Sequence, residues 1–153
     1  MEDAVKSYSR RDLGWLLPAL AAAVPAGAQQ AAESKPPLGK LTSKAYVFED
    51  LHAKKNGENV GRSVLNGLTH KDDPVELHMT ELAAGGQPHP PHRHVHEEIL
   101  MLQSGQLDCS MNGETIHLTP GSVVYVASND LHGWKNPGTA PAQYFVISLS
   151  GDS

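Results

Sequence analysis

The chain has 153 residues, with 12 Lys plus Arg against 17 Asp plus Glu, a formal charge of −5 with histidine neutral. That balance argues against nucleic acid as a partner, because phosphate binding needs a clustered surplus of cations. A hydrophobic share of 39% argues against disorder of the whole chain. Its nine histidines are the unusual feature: four crowd between residues 89 and 96.

Residues 1–28 come first. Ser9-Arg10-Arg11 is followed by an uncharged, alanine-rich stretch that ends in the small residues Ala26-Gly27-Ala28. This pattern predicts a cleavable export signal of the twin-arginine type, which bacteria use for proteins that fold before export. The expected destination is the periplasm or the cell exterior. Residues 13–32 lack charge and have the length of a membrane span. They are nevertheless broken by Gly14, Pro18, Pro25 and Gly27, so no stable span is expected after cleavage. Residues 29–42, rich in Gln, Ala, Pro and Lys, predict a flexible leader, and residues 43–153 a single domain. Cys109 is the only cysteine, so an internal disulfide is excluded. It shares strand parity with Leu107 and Met111 and reads as a small buried apolar residue.

The domain shows no helical periodicity of useful length. Short runs rich in Val, Ile, Tyr and Thr predict strands at 45–49, 62–66, 75–82, 97–103, 106–111, 114–118, 122–127 and 142–149. Asn112-Gly113 supplies the positive φ angles of a tight hairpin turn, and Pro120-Gly121 marks a second turn. Many closely spaced short strands predict an all-β sandwich or barrel. In Glu98-Ile99-Leu100-Met101-Leu102 and in Val123-Val124-Tyr125-Val126 both strand faces are apolar, so both need cover. One face fills the barrel and the other predicts a homo-oligomer, with a homodimer the expected form.

The crowded segment reads Gly86-Gln-Pro-His89-Pro-Pro-His92-Arg-His94-Val-His96-Glu97-Glu98. In extended chain, residues two apart project to one side. His92, His94 and Glu98 are therefore expected on one strand face. Two imidazoles and a carboxylate make a poor apolar core and a good site for a divalent transition metal: Mn, Fe, Ni, Cu or Zn. Three ligands from one strand leave the ion open, and His132, after the Asn129-Asp130-Leu131 turn, is the expected fourth.

These residues resemble the cupin superfamily, whose members are small jelly-roll β-barrels. The family's first motif, G-x5-H-x-H-x3-E-x6-G, is matched by Gly86, His92, His94, Glu98 and Gly105. Its second motif, G-x5-P-x-G-x2-H-x3-N, is matched by Gly121, His132 and Asn136, with Ala127 in place of the proline and Asn129 in place of the second glycine. The resemblance covers roughly residues 60–150. It implies an all-β, cupin-type jelly-roll barrel with a metal held by His92, His94, Glu98 and His132, and one or two positions left for water or substrate.

The remaining histidines read as peripheral: His96 as partly exposed, with the alternative that it orients a ligand, His89 as a rim residue, and His52, His70, His78 and His117 as surface positions. Glu97 is expected to point outward. Tyr125, Gln103, Arg62 and Trp134 are candidate polar liners of an otherwise apolar interior. No catalytic residue is assigned beyond the metal ligands. A sparsely furnished pocket fits a metal-dependent, oxygenase-like enzyme acting on a small molecule. The competing reading is a non-catalytic cupin that binds a small ligand or the metal itself.

Overall fold

The computed structural model describes residues 37–149. The expected export signal and the first part of the leader, through residue 36, lie outside the described residues. Among the described residues, nine strands are joined by antiparallel pairings into two sheets. They are β1 (Ala53–Asn56), β2 (Asn59–Leu68), β3 (Pro74–Leu82), β4 (Glu97–Ser104), β5 (Leu107–Met111), β6 (Glu114–Leu118), β7 (Val123–Val126), β8 (His132–Lys135) and β9 (Ala142–Leu149). The larger sheet runs β1-β2-β3-β9-β4-β7 and the smaller β6-β5-β8. This is the two-sheet jelly roll expected from the sequence. Among the described residues, no helix is long and apolar enough to cross a membrane.

Alternation fixes which face each strand buries. In β9, Ala142, Tyr144 and Val146 are buried, with Ser148 beyond them. In β4, Glu98, Leu100 and Leu102 are the buried set. Cross-strand partners share a face. The inner wall therefore contains the rows Glu98–Ser148–Glu76, Leu100–Val146–His78 and Leu102–Tyr144–Thr80. The smaller sheet closes over them with Leu107, Cys109 and Trp134, all buried, and burial raises the Cys109 thiol above its ordinary value.

The opposite face of the larger sheet is apolar as well. Tyr125, Ile99, Ile147 and Leu77 form one outer row, and Val123, Met101, Phe145 and Met79 the next. Val123 and Tyr125, on the edge strand, are exposed. Glu97 lies on this face beside the Tyr125 hydroxyl, which raises that phenol's pKa.

The turns are as read. Asn112 and Gly113 have φ of 50° and 93°, which matches the right-handed twist of the β5–β6 hairpin. Gly121 has φ of 89°, and the Ser122 amide closes the turn onto the Thr119 carbonyl at 2.9 Å.

Three expectations are corrected. Residues 45–49 form no strand; Phe48–Asp50 is a single 3-10 turn. Residues 45–47 pair with no strand, and Phe48 instead packs beneath the Arg62 guanidinium. Two strands were not expected. β1 is Ala-Lys-Lys-Asn, a charged sequence that suits a sheet edge, where lysine discourages further pairing. β8 is only four residues long and follows directly on the Asn129-Asp130-Leu131 turn. Within the expected leader, Leu68 exchanges hydrogen bonds with Gly39 and Leu41, so this stretch lies along the end of β2.

Candidate metal centre

The four expected ligands come from three places. Glu98 lies in β4 and His132 opens β8, but His92 and His94 precede β4 in irregular chain, because Pro88, Pro90 and Pro91 cannot support a strand ladder. The expectation of three ligands on one strand face is thereby corrected. The second motif holds this segment in place. His92 and His132 exchange backbone hydrogen bonds of 2.9 and 3.0 Å. The Asn129 amide donates to the His94 carbonyl at 2.8 Å, and the Arg93 guanidinium donates to the Asn129 carbonyl. Asn129 has φ of 63°, the left-handed conformation that asparagine tolerates best among non-glycine residues. It thus does the work of the glycine it replaces.

The ligand-capable atoms of His92, His94 and His132 lie within 4.8 Å of one another. Glu98 joins them: its Oε1 is 3.5 Å from His94 Nε2 and its Oε2 is 3.5 Å from His132 Nε2. His132 is fully buried and Glu98 nearly so. The proton positions follow from the partners. His94 Nδ1 contacts the His96 carbonyl at 2.7 Å, and His132 Nδ1 contacts the Asp130 carbonyl at 2.9 Å. A carbonyl only accepts, so each Nδ1 carries the proton, and in the neutral ring each Nε2 presents a lone pair. Both Nε2 atoms are buried without a hydrogen-bond partner.

With the rings neutral, two buried lone pairs and the Glu98 carboxylate converge on one point. Such an arrangement is costly by itself and fits a cation. Three imidazoles and one carboxylate suit a divalent first-row transition metal, and the Nδ1–carbonyl bonds supply the orienting partners that such ligands require. His92 fits too. Burial, and then the neighbouring His89, His132 and His94 rings, hold its pKa below the ordinary value, with Glu98 opposing. It therefore stays in the neutral, ligating form.

Around this cluster the structure re-sorts the other side chains. Trp134 lines the interior, its ring centroid 5.6 Å from that of His132. Its indole N–H donates to the Tyr144 hydroxyl at 3.0 Å. Tyr144 was not expected at the site; the apolar alternation of β9 hides it among core residues. Burial pushes its phenol up to about 12. Tyr125 and Gln103 are exposed, and Arg62 stacks on Phe48, so these three candidate liners are corrected. His89 lies exposed at the rim, 4.2 Å from the His92 ring centroid. His52, His70 and His117 are exposed, and His117 meets Asp108 at 2.8 Å. His78 is half-buried, and its register puts it on the inner face beside Glu76, 3.6 Å away. His96 is partly buried, its side chain 15% exposed, and its Nε2 lies 3.2 Å from Glu98 Oε1. Its signal was present, since it shares the parity of His94 and Glu98.

The remaining motif residues are structural. Asn136, fully buried, donates from Nδ2 to the carbonyls of Leu82, Ala83 and Ala140, and accepts from the Gly138 amide at 2.9 Å. Gly105 has φ of 79°, and a Cβ there would stand 2.6 Å from Ala142 Cα.

Comparison with known proteins agrees with this fold. Residues 78–148 match the family model described as a cupin domain. No curated protein is significantly similar in sequence. Among solved structures, the chain is similar to an RmlC-like cupin from Shewanella frigidimarina, with 17% identity, a TM-score of 0.60, and coverage of 72% of this chain and 95% of that one. It is also similar to the polyketide cyclase RemF from Streptomyces resistomycificus, with 19% identity, a TM-score of 0.59, and coverage of 72% and 81%. A third similarity is to a predicted oxalate decarboxylase from Thermotoga maritima, with 14% identity, a TM-score of 0.61, and coverage of 71% and 100%. Residues 78–148 are a cupin domain.

Proposed function

We propose that this cupin is an exported, single-domain protein that holds a divalent transition metal through His92, His94, Glu98 and His132 and uses it as a metal-dependent, oxygenase-like enzyme on a small molecule. The observation that carries the metal reading is the pair of buried, unpartnered Nε2 atoms, on His94 and His132, facing the Glu98 carboxylate. When bound, the metal would supply open coordination positions for dioxygen or an enol-like substrate. The protein would orient the ligands and exclude water. The buried wall around Glu98 combines Ser148 with Leu100, Leu102, Val124, Val126 and Val146, which suits a compact substrate with a mainly apolar surface. Tyr144 keeps its phenol proton throughout the neutral range and serves as a polar neutral group rather than as a base.

The test is elemental analysis of protein purified without added metal, followed by oxygen uptake with Fe(II)- or Ni(II)-loaded protein against an enediol and catechol panel. One equivalent of metal is expected, with uptake that a His92→Ala variant abolishes. Saturable metal or ligand binding with no turnover would replace the enzymatic reading with a binding cupin. A native protein without metal would overturn both.

The export reading rests on Ser9-Arg10-Arg11 and the Ala26-Gly27-Ala28 ending. Replacing Arg10 and Arg11 with Lys should retain the protein in the cytoplasm; normal export of that variant would refute the twin-arginine route. A homodimer through the apolar outer face of the larger sheet belongs to the same proposal, supported by the exposed Val123 and Tyr125.

A further inference from the structure

His96 occupies a variable position of the first cupin motif, yet its ring reaches the centre. The His96 and His94 rings are stacked, with centroids 3.5 Å apart and planes 8° from parallel. His96 Nε2 is 3.2 Å from Glu98 Oε1, and the ligand-capable atoms of His94, His96 and Glu98 form a second cluster within 4.8 Å.

Two roles are open to such a ring: a further ligand, or a partner of the ligand Glu98. The stacking decides between them. A metal–imidazole bond lies in the ring plane and is about 2.1 Å long. An ion in the plane of His94 therefore cannot also lie in the parallel plane of a ring stacked 3.5 Å away. A carboxylate oxygen, by contrast, only accepts, and 3.2 Å is within reach of an N–H donor.

We infer, on the reading that the cluster binds a metal, that His96 is a positioning residue: its Nε2–H donates to Glu98 Oε1 and fixes the carboxylate for coordination. The same residue also fixes His94, since the His96 backbone carbonyl accepts the His94 Nδ1–H at 2.7 Å. One residue thus orients two ligands, through its ring and its main chain. The ring also serves as packing: it covers the face of His94, and its side chain is only 15% exposed.

Two substitutions separate donor from packing. His96→Phe keeps an aromatic face on His94 and the backbone carbonyl but removes the donor. His96→Gln keeps a donor and removes the stack. Zinc affinity is measured by competition with a chromophoric chelator, and the number of coordinated imidazoles by pulsed electron paramagnetic resonance of the Cu(II)-loaded protein. The expected result is roughly 10–100-fold weaker zinc binding for His96→Phe, recovery of most of that loss in His96→Gln, and the same imidazole count in all three proteins. Wild-type affinity in His96→Phe would overturn the positioning role, as would a count that falls by one in both variants, which would make His96 a ligand. If His96→Phe does not fold, an unchanged count in His96→Gln supports the role and a lower one overturns it. A wild-type protein that takes up no zinc and no copper would overturn the metal reading, and this inference with it.

Discussion

Individual side chains in this barrel divide between holding a cation and holding the frame around it. Asn136 belongs to the frame. Its buried amide ties the end of β3 to the β8–β9 connection, so Asn136→Leu would leave three carbonyls and the Gly138 amide without their partner. A loss of roughly 3 kcal/mol is expected in urea unfolding, with unchanged metal affinity in the fraction that stays folded. Tyr144 gives the pH dependence. In the unfolded chain a tyrosine ionises near its ordinary value of 10, whereas the folded protein keeps this proton to about 12. The unfolded state therefore binds fewer protons across that window. The contribution of Tyr144 is complete below pH 10 and declines by about 1.4 kcal/mol per pH unit above it. Absorbance at 295 nm should show a late tyrosinate step that Tyr144→Phe removes. Persistence of the step in that variant would assign it to another tyrosine.

Elements set the distances between the ligands. The segment carrying His92 rests on β8 because Gly133 has no side chain: a Cβ there would stand 3.0 Å from Pro91 Cα. Gly133→Val would push this segment away from the strand that bears His132. The expected outcome is at least about tenfold weaker metal binding, a typical cost of disturbing the support of a ligand, measured by the same chelator competition. If affinity were unchanged, the His92–His132 backbone bridge would not be what fixes the site. The strand pattern also explains what the sequence could and could not convey about these elements. β9 alternates cleanly, and its expected limits are those observed. β8 is short and closes only because β5 lies beside it, with Cys109 opposite Trp134. No local signal carries that pairing. Residues 45–49 carry a strong strand composition and form none, since a strand needs a partner edge as much as a suitable sequence.

At the scale of the whole molecule, the larger sheet is apolar on both faces. Its inner face is covered by β5, β6 and β8. The outer rows through Tyr125–Ile99 and Val123–Met101 lead to the homodimer proposal. Sedimentation at micromolar concentration should give twice the mass of the chain, and Val123→Lys with Tyr125→Lys should shift it to one. Both substitutions face outward at a strand edge, where a lysine is tolerated, so metal affinity should be retained. A wild-type protein that sediments as a monomer would remove this part of the proposal.

The sequence by itself determined the class of fold and four of the residues at the centre. Strand-length apolar runs, Asn112-Gly113 and the histidine–glutamate spacing are local facts about a chain, and local facts are what a linear string records. The tertiary structure decided which neighbours those residues have. Parity separated Glu97 from Glu98 correctly, because both lie in a real strand. It could not be trusted for His92 and His94, where prolines break the ladder, and the place of His96 rests on a ring stack with His94 in the same irregular stretch. Tyr144 looked like core from its place in an alternating strand; only the approach of Trp134 from the opposite sheet made it part of the site. Pairings between distant segments depend on packing free energy shared by the whole barrel, which no short stretch of sequence contains.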